Sequence, residues 1–111
     1  MGLLLNKKNF PLVTVYIPSR NYGEYAEKAI KSVVNQIYNN WELILIDEGS
    51  QDSTLSIFNY YKDKHDTKIS IISNEKPIGL QKIANKVLSI AKGRYMIRLD
   101  ADDWLHEFAL E

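Results

Sequence analysis

The chain contains no cysteine. Disulfides, thiolate metal centres and cysteine nucleophiles are excluded together, and the composition is compatible with a reducing compartment. Glycine and proline are scarce, 5 and 3 in 111 residues, so neither a collagen-like repeat nor a flexible low-complexity linker can be built. No sign of charge is in excess: 14 Lys+Arg stand against 14 Asp+Glu. Without a long-range field to collect nucleic acid or an anionic membrane surface, neither is expected as a partner. Long apolar runs are missing too. Leu3-Leu4-Leu5 is far shorter than a signal-peptide core of roughly 7–15 residues or a membrane span of about 20. Met1-Gly2 lacks the Ser or Thr that myristoylation requires, because Asn6 stands in that place. Residues 1–10 are expected to be a leader or expression remnant, and 11–111 one unit. What is present, 45% hydrophobic and 25% charged residues, is the composition of a single globular domain.

Periodicity then supplies the elements. Leu12-Val13-Thr14-Val15-Tyr16-Ile17, stopped by Pro18, has the β-branched and aromatic content of a strand buried on both faces. Ala26, Ala29, Ile30, Val33, Val34 and Ile37 recur at amphipathic-helix spacing. Trp41 to Ile46 predicts a second strand. Leu55, Ile57, Phe58 and Tyr61 predict a second helix behind the capping residues Asp52, Ser53 and Thr54, and Lys68 to Ser73 a third strand. Gly79 opens a third helix with Leu80, Ile83, Ala84, Val87, Leu88 and Ala91 as its apolar face, Gly93 at its C-cap, and Tyr95 to Leu99 as strand four. This alternation predicts an α/β fold: a parallel sheet with helices on both faces.

In such sheets ligands bind beyond the carboxyl ends of the strands, where strand order reverses. The polar clusters fall there: Pro18 to Asn21, Asp47 to Ser50, Asn74, and Asp100 to Asp103. Asp100-Ala101-Asp102-Asp103 places three carboxyls in four residues, whose mutual repulsion favours a shared cation, and oxygen donors with open water positions suit Mg²⁺ or Mn²⁺. The alternative is a solvated acidic loop. An EF-hand is excluded because Trp104 and Leu105 replace a ligand and the required glycine. Asp47 can accept from a base N–H or a ribose hydroxyl, or serve a turn. Arg20, Lys76, Lys82 and Arg98 can neutralise phosphate, although each alone is more often surface charge. No G-x-G-x-x-G or Walker sequence occurs, so dinucleotide and P-loop chemistry are disfavoured. His65 and His106 have no nucleophile in a recognisable setting and read as structural or solvent-facing.

The ordered set Val13 to Pro18 with Asn21, Leu43 to Ser50 with Asp52-Ser53-Thr54, Gly79 with Asn85, and Gly93 to Asp103 resembles the N-terminal nucleotide-sugar-binding half of family 2 glycosyltransferases. The resemblance covers about residues 11–108. It implies a Rossmann-like glycosyltransferase A fold, apparently truncated, and metal-dependent, inverting transfer of a sugar from a nucleotide-diphosphate donor to a saccharide or other hydroxyl acceptor. UDP-sugar is the first expectation. Carried over by position, Pro18, Arg20, Asn21, Asp47, Glu48, Asp100 and Ala101 would border the nucleotide sugar. Asp102 and Asp103 would hold Mn²⁺ or Mg²⁺ on the diphosphate.

Two departures from the family pattern stand out. Glu48 occupies the place of a second Asp, which shifts the carboxylate by about one methylene. Ala84 replaces the Arg that often precedes the Asn matched by Asn85. The family's general base is expected beyond Glu111, so the chain reads as a donor-binding half, inactive in transfer by itself. Strand four would be an exposed sheet edge open to self-association. The alternative reading is a non-catalytic nucleotide-sugar-binding or protein-interaction module of the same fold. A nucleotidyltransferase would want a Gly-rich loop with Arg and Lys after strand one, which Pro18-Ser19-Arg20-Asn21-Tyr22-Gly23 does not supply. The expected location is cytoplasmic, with membrane attachment of a full-length protein as the alternative.

Overall fold

The computed structural model describes residues 11–21, 23–101 and 110. Its elements follow the predicted alternation: β1 Val13–Ser19, α1 Gly23–Val34, β2 Trp41–Glu48, α2 Thr54–Lys64, β3 Ile69–Asn74, α3 Leu80–Ile90 and β4 Tyr95–Arg98. The strands form one sheet in the order β3-β2-β1-β4, every neighbouring pair parallel. The first three strands wind in one direction and β4 returns to the other side of β1. Strand order therefore reverses between β1 and β4, which places a ligand crevice at their carboxyl ends.

Alternation along the strands divides the core. Val13, Val15 and Ile17 of β1 and Leu43 and Leu45 of β2 face Ala26, Ala29, Ile30 and Val33 of α1 and Phe58 and Tyr61 of α2. Tyr16, Ile44 and Ile46 face the opposite way, onto Ile83 and Val87 of α3. Helices thus cover both faces, which is why β1 and β2 read as nearly continuous apolar runs. Tyr61 donates from Oη to Glu27 Oε2 at 2.9 Å, and burial together with this bond pushes its phenol up to about 12.

Four local expectations are corrected. Strand one continues through Pro18 to Ser19. Leu99 N–H donates to Tyr16 O, so the Tyr16 main chain, and with it the Pro18 nitrogen two residues on, faces the β4 side, where β4 ends opposite Tyr16. The missing proline N–H therefore has no ladder partner to lose. Helix α1 ends at Val34, before Ile37, which is 55% exposed. On α3 only Ile83 and Val87 are buried, while Leu80 and Leu88 are exposed. Among the described residues α3 is alone on its sheet face, with no neighbouring helix to cover the sides of its apolar stripe.

Gly93 is not a helix cap. Ala91 is, with its N–H bonded to Val87 O at 2.7 Å. Gly93 instead lies against β1, where an added Cβ would stand 2.3 Å from Thr14 Oγ1. Its N–H donates to that same oxygen at 2.9 Å, and Arg94 N–H donates to Leu12 O at 2.7 Å. These bonds seat β4 on β1. Among the described residues the outer edge of β4 pairs with no strand, and Tyr95 and Met96 are exposed there, as expected of an edge.

Candidate nucleotide-sugar site

The carboxyl ends of β1, β2 and β4 border a cleft of about 440 Å³. Pro18, Ser19 and Arg20 form one wall, Glu48 stands at the end of β2, and Asp100 and Ala101 follow β4. Pro77, Gly79, Leu80 and Ile83 complete it from the β3–α3 loop and the first turns of α3. Five residues expected from the sequence, Pro18, Arg20, Glu48, Asp100 and Ala101, therefore meet in one place. Asp102 and Asp103 lie outside the described residues.

Glu48 lines the cleft and also builds it. Asn74 Nδ2 donates to its Oε1 at 3.1 Å and the Ile78 main-chain N–H to its Oε2 at 2.7 Å. Both oxygens of this buried carboxylate hold the β3–α3 loop across the end of β2, and charged acceptors make the stronger hydrogen bonds. The next residue, Gly49, adopts φ +76, and an added Cβ would approach Glu75 O to 2.5 Å. Only glycine satisfies both the positive φ and the close approach of that loop.

Asp47 and Asn21 lie outside the cleft lining. Asp47, on the same sheet face as Leu43 and Leu45, is 3% exposed, and its Oδ1 accepts from Ser50 N–H at 3.1 Å. It shapes the loop after β2. Asn21 has φ 58, a left-handed conformation that asparagine tolerates better than most residues. Its N–H donates to Ser50 Oγ at 2.9 Å, and its Oδ1 accepts from Gln51 N–H at 2.7 Å. The loops after β1 and β2 are thereby clamped together.

Asp52 fastens the same region from behind. Its Oδ2 accepts from Gly23 N–H at 3.2 Å, and its Oδ1 accepts from Thr54 N–H at 2.9 Å and from the Thr54 hydroxyl. The predicted capping thus falls to Asp52, while Ser53 makes no side-chain cap bond. The Thr54 hydroxyl, followed by main-chain N–H donors at two helix starts, holds the Asp52 carboxyl below its ordinary value.

Charge in the cleft is mixed. Asp100 Oδ1 lies 3.3 Å from Arg98 Nε, both side chains about half exposed, a pair worth little in stability. Arg20 is exposed and makes no ion pair among the described residues. No cluster of three or more metal-ligating side chains occurs among the described residues. Asp100 alone of the acidic run is described, and its half-exposed carboxylate on the cleft wall is an oxygen donor of the hard type that suits Mg²⁺ or Mn²⁺. Sequence reasoning missed Ser19 and the wall from Pro77 to Ile83. The available signal for that wall was its position, immediately after Asn74 at the carboxyl end of a parallel strand.

Comparison with protein families matches residues 14–111 to Glycosyl transferase family 2. The chain belongs to that family. It is 41% identical over 96 residues to an uncharacterized glycosyltransferase of Haemophilus influenzae, covering 86% of this chain and 29% of that protein. It is 34% identical over 104 residues to chondroitin synthase of Escherichia coli, covering 94% of this chain and 15% of that protein. The chain thus spans less than a third of either relative. The S. aureus TarS structure in complex with UDP-GlcNAc superimposes with a TM-score of 0.76 at 26% identity, over 86% of this chain and 28% of that one. Mannosyltransferase PcManGT from Pyrobaculum calidifontis, in complex with GDP-Man and Mn²⁺, has the same fold, with a TM-score of 0.79 at 24% identity over 92% of this chain and 31% of that one. Among the described residues no helix is long and apolar enough to cross a membrane.

Proposed function

We propose that this family 2 chain binds a nucleotide-diphosphate sugar in the cleft at the ends of β1, β2 and β4, as the donor half of an inverting, metal-dependent glycosyltransferase. The acceptor class proposed is a saccharide or other hydroxyl compound. The observation that carries the reading is the convergence of Pro18, Arg20, Glu48, Asp100 and Ala101 on one cleft beside the reversal of strand order. The UDP-GlcNAc held by TarS supports a UDP-sugar as the first donor to test.

In this reading Arg20 stays at the exposed wall, where its guanidinium meets a phosphate. Asp100 accepts from a ribose hydroxyl, and Asp102 with Asp103 would hold Mn²⁺ or Mg²⁺. That ion supplies charge neutralisation for the departing diphosphate. Inverting transfer also requires a base for the acceptor hydroxyl. Glu48 is not assigned that role because both of its oxygens already accept hydrogen bonds within the fold. A cytoplasmic setting, where nucleotide sugars are supplied, and self-association along the unpaired edge of β4 belong to the same proposal.

Calorimetric titration of UDP, GDP and their sugar conjugates, with and without Mn²⁺, tests it. Binding is expected to require the metal and to be lost in Asp102→Ala. Metal-independent affinity unchanged by that substitution would remove the metal assignment, and a folded chain that binds no nucleotide would remove the donor-site reading.

A further inference from the structure

Ser19 closes β1 on the wall of the cleft. The residue is 4% exposed and lines the cleft, yet its Oγ is buried with no hydrogen-bond partner among the described residues. Two other hydroxyls near the strand ends are engaged. Ser50 Oγ accepts from Asn21 N–H, and the Thr54 hydroxyl donates to Asp52. A covered hydroxyl without a partner is costly, and native folds retain few of them. Ser19 thus keeps an unused hydroxyl on a residue that lines the cleft.

We propose that the Ser19 hydroxyl is a ligand-binding group that donates its hydrogen bond to a neutral acceptor oxygen in the nucleoside part of a bound nucleotide, either a base carbonyl or a ribose oxygen. The inference rests on the reading of this cleft as a nucleotide site. Two observations select the nucleoside over the phosphates. The Ser19 Oγ is shielded from water, and bringing a charged oxygen to a single covered hydroxyl would strip its hydration without sufficient replacement. The neighbouring Arg20 is exposed on the same wall, so charge has a solvated partner nearby. Pro18 and Ala101 line the same cleft and add small apolar surface, which suits a flat neutral ring. Rotation about χ1 among the staggered wells of serine redirects Oγ toward the cleft without moving the backbone.

The test compares the unaltered chain with Ser19→Ala in the presence of Mn²⁺, measuring UDP by calorimetry, uridine by competition with UDP, and the melting temperature of each protein. The expected result is a loss of affinity of roughly three- to tenfold, equal for UDP and uridine, in a variant that melts at the same or a higher temperature. Loss confined to UDP would move the contact to the phosphates and overturn the proposal. Unchanged affinity for both, or a clearly lower melting temperature with unchanged affinity, would show that the hydroxyl serves the fold alone. If the unaltered, folded chain binds no UDP, the nucleotide reading itself fails, a result distinct from the failure of Ser19.

Discussion

The carboxylate of Glu48 accepts a 2.7 Å hydrogen bond from the main-chain N–H of Ile78, across a sequence separation of 30. A residue expected to face the nucleotide therefore holds the loop that walls the cleft. Glu48→Ala leaves both the Asn74 amide and the Ile78 N–H without their acceptor. The expected cost is about 1–3 kcal/mol in urea denaturation, with UDP affinity falling in parallel as the Pro77–Leu80 wall moves. Glu48→Gln recovers only part of the loss, since its amide can accept one of the two bonds but presents a donor to the other.

Gly93 and Thr14 make a second exacting contact. A methyl group at residue 93 would lie 2.3 Å from Thr14 Oγ1 and 2.6 Å from Thr14 N, and the latter is main chain in a central strand. Gly93→Ala is therefore expected to lose about 1–3 kcal/mol or more through forced displacement of β4 from β1. A thermal melt of the variant measures it. A stability unchanged from that of the unaltered chain would show that the α3–β4 connection is not seated on Thr14.

The Asp52 carboxyl is held below its ordinary value of 3.8, chiefly by the Thr54 hydroxyl. A group whose value is depressed on folding contributes stability above its unfolded value, and that contribution disappears as pH falls through the lower, folded value. Stability is thus expected to hold its Asp52 contribution at neutral pH and to lose it progressively below about pH 4. Urea midpoints across that window, compared with Asp52→Asn, should show a shallower acid slope in the variant. An identical slope would assign the acid sensitivity to other carboxylates.

Much of the fold was legible because hydrophobic period is a local property. Runs such as Val13 to Ile17 and Leu43 to Ile46 state that both faces of a strand are covered, and polar residues collect where those runs stop. The placement of Pro18, Arg20, Glu48, Asp100 and Ala101 around one crevice followed from that pattern and from family resemblance. Leu80, Leu88 and Ile37 show the limit. Apolar spacing marks a stripe on a helix but cannot say how wide the surface beneath it is, and among the described residues α3 rests on its face without a companion helix.

By itself, then, the sequence determined the alternation of strands and helices, the parallel sheet and the ends at which chemistry would gather. Only the tertiary structure decided that β4 returns beside β1, that Gly93 serves Thr14 rather than a helix end, and that Glu48 grips Asn74 and Ile78. It alone left the Ser19 hydroxyl covered and without a partner. The physical reason is range. Propensity and periodicity act within a few residues, whereas these contacts join groups separated by 26 to 82 positions, and their partners exist only once the sheet has assembled.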